Sequence, residues 1–143
     1  MRIAEILRNK GSTVRTVSPD TSVCELIGDF ARFNIGAMVI CEGETLVGIV
    51  TERDIVRALH ERGPSILATA VRDLMSGTVT TCLPTDSVDS LAETMTEQRI
   101  RHLPVMSDGR LVGIVSIGDV VKSRIDELQA ERDQLASYIH DGG

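Results

Sequence analysis

Two four-residue motifs, Thr51-Glu52-Arg53-Asp54 and Ser116-Ile117-Gly118-Asp119, carry the residue types in this chain best suited to chemistry. Each follows a strand-like run, Gly48-Ile49-Val50 and Gly113-Ile114-Val115. A hydroxyl three residues ahead of a carboxylate fits a helix-capping box, in which the hydroxyl accepts from the new first turn and the carboxylate sits where the dipole favours it. The same placement can recognise a ligand. A helix N-terminus offers free N–H donors to an anion. A carboxylate one turn into the helix can accept from vicinal hydroxyls, as an acidic residue does for ribose in dinucleotide-binding folds. The glycine lets another group approach the backbone. The residues leave both readings open, and the two are compatible.

Catalysis would need a nucleophile with a base, a metal set or two opposed carboxylates. His60, His102 and His140 are far apart and in no metal-ligand spacing, and Cys24, Cys41 and Cys82 form no CxxC pair. The expectation is therefore no catalytic residue, no metal and no disulfide framework. Cys41 and Cys82, inside apolar strand-like runs, are expected as small buried hydrophobes.

The elements that position the two motifs come as a tandem repeat. At an offset of 65 residues, 14–57 aligns with 79–122 without a gap, and fourteen of the 44 positions are identical. Ile3-Ala4-Glu5-Ile6-Leu7 also resembles Val71-Arg72-Asp73-Leu74-Met75, with Arg8–Thr13 and Ser76–Thr78 expected as loops. Within the first copy the pattern predicts a strand at 14–17 and a helix to Phe33 capped by Thr21 or Ser22. A hairpin of 37–41 with 45–50 and a helix over 52–61 follow. The second copy predicts a strand at 79–82, a helix over 87–98, strands at 103–106 and 110–115, and a helix from Ile117 to about Ile139. The fold class is α+β: two β-α-β-β-α repeats packed with pseudo-twofold symmetry, plus an extended C-terminal helix. The divisions are 1–66, 67–123 and 124–143.

The last helix departs from the repeat. Val121, Ile125, Leu128, Leu135 and Ile139 make a short heptad seam with Arg132 in one slot, which predicts a dimerising or partner-binding helix. With 15 basic and 21 acidic residues the net charge is −6, which disfavours nucleic-acid binding. No apolar run approaches the length of a membrane span, and no secretory signal opens the chain, so a cytoplasmic protein is expected.

The run Ile100-Arg101-His102-Leu103-Pro104-Val105, followed by Leu111-Val112-Gly113-Ile114-Val115-Ser116 and Asp119, is similar to the CBS domain, named after cystathionine β-synthase. Ser18-Pro19-Asp20, Ile35-Gly36-Ala37-Met38-Val39 and Gly48 to Asp54 match it in the first copy. Together the copies resemble a CBS pair, or Bateman module, over about residues 1–123. The resemblance implies clefts between the repeats that bind adenosyl ligands: AMP, ADP, ATP, NAD(H) or S-adenosylmethionine. Such a nucleotide would be a regulatory ligand, with no cofactor required. It also implies ribose held by Asp54 with Thr51, and by Asp119 with Ser116. Thr16, Thr81 and the backbone at Gly36, Ala37, Met38, Leu103 and Pro104 would frame the adenine. Arg53, Arg101 and His102 would meet phosphates. Asp119 is the stronger candidate because Arg101 and His102 belong to its repeat, unless those groups face the other cleft. A homodimer forming a flat disc is expected. The alternative is a ligand-free scaffold acting through the C-terminal helix on a protein partner.

Overall fold

The computed structural model describes residues 1–11 and 13–142. Ser12, in the expected loop after the first helix, and Gly143, at the end of the expected extension, lie outside the described residues. The chain runs α1 (Ile3–Lys10), β1 (Thr16–Val17), α2 (Val23–Phe33), β2 (Ala37–Glu42), β3 (Thr45–Thr51) and α3 (Glu52–Arg62). Two 3-10 turns follow, Pro64–Ala68 and Val71–Asp73, and then α4 (Val88–Gln98), β4 (His102–Ser107), β5 (Arg110–Ser116) and α5 (Ile117–Gly142). No helix among the described residues is long and apolar enough to cross a membrane.

Local chemistry accounts for the repeated elements. Ser22 and Ser87 cap α2 and α4, each hydroxyl accepting from the backbone three residues on, Glu25 and Ser90, at 3.1 Å. Both helices end on a left-handed residue, Asn34 and Arg99. Both hairpins turn through two residues, the first with Gly43 at φ 65 and the second with Asp108 and Gly109 both positive. The second is the backbone that the twist of paired strands prefers. The register repeats as well: Ala37 pairs with Thr51 and His102 with Ser116, each with an irregularity near its middle.

Each repeat completes the core of the other. Ile3, Ile6 and Leu7 of α1 are buried with Leu91, Met95, Leu103, Val105 and Val115 of the second repeat. Val71 is buried with Leu26, Met38, Ile40 and Val50 of the first, and Leu74 and Met75 pack against that core. Backbone bonds enforce the exchange symmetrically. Ile3 N–H donates to Asp86 O, and Val88 N–H to Met1 O; correspondingly Val71 N–H donates to Thr21 O, and Val23 N–H to Thr69 O. Full burial of each such aliphatic side chain stabilises by roughly 1.5–3 kcal/mol, so neither lobe holds its core without the segment preceding the other.

Three expectations are corrected. The strand expected at 79–82 is a single parallel bridge between Cys82 and Val105, whereas β1 pairs with β2 through two residues. Extending that ladder to Thr81 requires a donor at its partner, position 104, and proline has none. The loop expected from Arg8 is helical through Lys10, and Gly11 stops the helix at φ 93. Cys82 is buried, its thiol pushed up to about 12 by desolvation and the nearby Asp86, but Cys41 is only half-buried and Cys24 is exposed.

Candidate functional site

The first N–H groups of α3 and α5 donate to the carbonyls of Gly36 and Arg101, at 3.0 and 2.9 Å. Each motif is thereby tied to the start of its hairpin. In the first, Thr51 N–H and Thr51 Oγ1 donate to Asp54 Oδ2 at 2.9 and 3.1 Å, and Asp54 N–H donates to Thr51 Oγ1 at 3.3 Å. In the second, Ser116 N–H donates to Asp119 Oδ2 at 2.9 Å and Asp119 N–H to Ser116 Oγ at 3.2 Å. Both carboxylates thus serve as helix caps, and in both the second oxygen, Oδ1, takes no hydrogen bond among the described residues.

A cleft of about 370 Å³ opens beside Asp54 and is walled by both repeats. α3 contributes Arg53, Asp54 and Arg57; the far wall is Arg99, Ile100, Arg101 and His102; Thr78 and Thr80 close the side. Gly36 and Thr51 also line it. Four arginines and a histidine therefore line one cavity. Burial, then the charges of Arg101 and Lys10, hold the His102 imidazole below its usual pKa, against the opposing pull of Asp119 and Glu52.

Of the residues expected at a ligand site, Gly36, Thr51, Arg53, Asp54, Arg101 and His102 come together here. The others do not. Thr16 lines a separate shallow groove with Glu25 and Asp29. Ala37, Met38, Leu103 and Pro104 are buried, and the Pro104 carbonyl accepts from Cys82 N–H. Thr81 is exposed outside the cleft. Arg101 and His102 line the cleft of Asp54, the other arrangement that the sequence left open, while the His102 imidazole also feels the charges of Asp119 and Lys10.

Asp119 faces a smaller cavity of about 190 Å³ between α1 and α5, lined by Met1, Ile6, Asn9, Lys10, Lys122, Ser123 and Asp126 as well. Lys10 Nζ donates to Asp119 Oδ2 at 2.7 Å and to Ile114 O at 2.9 Å. Desolvation would raise the Asp119 pKa, but the bonds from Lys10 and Ser116 and the Lys10 charge outweigh it and hold the carboxyl below the usual range.

Sequence reasoning missed Arg57, Arg99, Thr80 and Lys10. Arg57 was findable, since it lies four residues after Arg53 and so on the same helix face. The glycines of the two motifs also prove to have a different use. A Cβ at Gly48 would lie 2.6 Å from Met75 Sδ, and one at Gly113 would lie 2.5 Å from Leu7 Cδ2. The close approach they permit is that of the exchanged segments, on the strand face that meets the core.

This arrangement, a duplicated α+β module with interlocked leading segments and a cleft between its halves, is that of a CBS-domain pair. The CBS domain profile matches residues 3–61 and again 71–126, and the chain belongs to this family. A CBS-domain protein from Agrobacterium tumefaciens superimposes with a TM-score of 0.85 at 42% identity, over 87% of this chain and 99% of the other. The CBS domain pair of protein MJ0100, solved with 5′-methylthioadenosine and S-adenosyl-L-methionine, superimposes with a TM-score of 0.75 at 28% identity, over 85% and 98%. Among curated sequences, the mitochondrial CBS domain-containing protein CBSX3 of Arabidopsis thaliana is 34% identical over 98% of this chain and 72% of its own length.

Proposed function

We propose that this chain is a regulatory, non-catalytic module that binds a phosphorylated adenosine ligand in the cleft beside Asp54. The observation that carries the reading is the company Asp54 keeps: a carboxylate oxygen without a partner among the described residues, and Arg53, Arg57, Arg99 and Arg101 lining the same cavity. The carboxylate suits a ribose diol, and the guanidinium groups suit phosphate oxygens. S-adenosylmethionine carries a sulfonium where a nucleotide carries phosphate. Four like charges disfavour it here, so AMP, ADP, ATP and NAD(H) are the preferred candidates. Three free cysteines suit a reducing compartment such as the cytoplasm.

A thermal-shift panel of these nucleotides and S-adenosylmethionine tests the reading. At about 100 times Kd a ligand stabilises by roughly 2.7 kcal/mol. The expected result is a rise of several degrees in Tm with the phosphorylated ligands and a smaller one with the sulfonium. No shift at millimolar concentration with any of them would leave the scaffold reading in its place.

A second reading is favoured by α5. Leu128, Leu135, Tyr138 and Ile139 are between half and three-quarters exposed on a helix that outruns the domain beneath it. Such a stripe calls for a covering partner, and we assign it to a second copy of this chain, the seam of one helix packing on that of the other. Light scattering at tens of micromolar should give twice the 15.5 kDa chain mass, and deletion of 128–143 should weaken that dimer.

A further inference from the structure

The duplication supplies two motif carboxylates, and the structure treats them differently. Asp54 faces a cleft walled by both repeats, with no cation bonded to it among the described residues. Asp119 carries Lys10, delivered by the last turn of α1. We infer that Lys10 is the residue that sets ligand stoichiometry: its ammonium is a built-in counter-ion that occupies the Asp119 motif, so that one nucleotide binds per chain rather than two. The inference rests on the nucleotide reading of the Asp54 cleft.

Three observations carry it. First, Lys10 is fixed at two points, the Asp119 carboxylate and the Ile114 carbonyl, which pins it to the end of β5 where a ligand would meet the motif. Secondly, the cavity described at Asp119 lies between α1 and α5, and Lys10 itself lines it. Thirdly, the positions equivalent to Thr80 and Gln98, which are hydrogen-bonded and line the Asp54 cleft, are Arg15 and Phe33, and the Arg15 guanidinium lies 3.4 Å above the Phe33 ring centroid. The equivalent pair is thus a cation stacked on an aromatic ring where the Asp54 cleft has a hydroxyl bonded to an amide.

A ribose approaching Asp119 would meet a carboxylate whose charge an ammonium already neutralises at Oδ2, and a diol that used both oxygens would have to replace that charge-assisted bond with a neutral one. The same segment before the other cleft, Ser76–Thr78, presents no such charge.

Calorimetric titration with ATP tests the inference on the intact chain. Wild type should bind one ATP per chain. Lys10→Met, which keeps the aliphatic stem and loses the ammonium, should bind two, with the new site at least about tenfold tighter than any second-site binding in wild type. Lys10→Gln should behave likewise, and adding Asp119→Asn to either should remove the gained site. Two sites in wild type would overturn the inference and make Lys10 a phosphate contact if its loss then weakens one of them. One site in both Lys10 variants would overturn it too, while leaving the Asp54 reading intact. No binding in wild type would instead defeat the Asp54 reading. Lys10 would then be judged by whether its replacement creates a site that Asp119→Asn abolishes.

Discussion

Asp54 and Asp119 occupy equivalent positions, cap equivalent helices and accept the same backbone bond at the same 2.9 Å. Their surroundings nevertheless differ, because a different stretch of chain is laid against each. Before the first cleft the chain passes as Ser76-Gly77-Thr78; before the second it makes another helical turn that ends in Lys10. The two leading segments thus leave Asp54 without a bonded cation among the described residues and give Asp119 the Lys10 ammonium. The hydroxyl-x-x-carboxylate pattern therefore specifies a cap in both places, and whether the cap also reads a ligand is decided by residues far away in sequence.

The largest expected effect separates the two carboxylates by function. Asp54→Asn should weaken nucleotide binding by about 1.5–3 kcal/mol, tenfold or more in Kd, because a charged acceptor for hydroxyls is lost. Asp119→Asn should leave affinity within a factor of two and lower stability by on the order of 0.3–1 kcal/mol, the value of a helix-terminus charge. Calorimetry beside unfolding midpoints distinguishes these. Equal losses of affinity in the two variants would erase the functional difference between the clefts.

The glycines test the exchange of leading segments. Gly48→Ala and Gly113→Ala should each destabilise by roughly 1–3 kcal/mol through overpacking. Gly48→Ala should cost more, since its added methyl also meets the Ser76 carbonyl at 3.0 Å, and a backbone atom yields less than the end of Leu7. Chemical denaturation of both variants checks the order. A neutral Gly113→Ala would show that Leu7 turns aside freely and that α1 is held mainly by its backbone bonds.

Much of this organisation was legible in the residues. The repeat, both hairpins, the caps at Ser22 and Ser87 and the Thr51/Asp54 and Ser116/Asp119 boxes are local patterns, and local patterns are what a sequence displays. The lost strand at 79–81 was legible too, had Pro104 been read as the residue facing it. What the sequence did not display is the crossing of chain between lobes. Arg101 and His102 follow Ser87 and precede Ser116, so they read as members of the second site. In the folded chain β3 and β5 are in contact, and Arg101 and His102 line the cleft of Asp54. Lys10 was hidden for the same reason, 109 residues from its partner.

The imidazole of His102 offers a smaller effect. Its pKa is held below the ordinary value by burial and the neighbouring charges, and a phosphate beside it would raise that value. Protons are then taken up on binding, so affinity for ATP should increase as the pH falls from about 7.5 to 6. The gain should be roughly two- to fivefold beyond that of His102→Gln, which serves as the reference for titration of the phosphate itself. Identical pH profiles for the two proteins would place the phosphates away from His102, toward Arg53 and Arg57.

The smallest effect concerns acid stability and isolates the Lys10–Asp119 pair without any ligand. The Asp119 carboxyl is held below its ordinary 3.8 in the folded chain. A depressed carboxyl pKa means that the unfolded chain binds the proton more readily, so the stabilisation is complete above the unfolded value and is lost as the pH falls through the folded one. Lys10→Met removes the bond and charge that outweigh desolvation, so it should bring the folded pKa back toward 3.8. Wild type should therefore exceed Lys10→Met in unfolding free energy at pH 6, and the gap should close on acidification below about pH 4. With both partners partly exposed, solvent screening limits that gap to about 0.2–1 kcal/mol. Urea unfolding at pH 6 and pH 3 measures it. A gap that persists undiminished at pH 3 would mean that Lys10 stabilises α1 by other contacts, such as its bond to the Ile114 carbonyl, and that the ion pair contributes nothing.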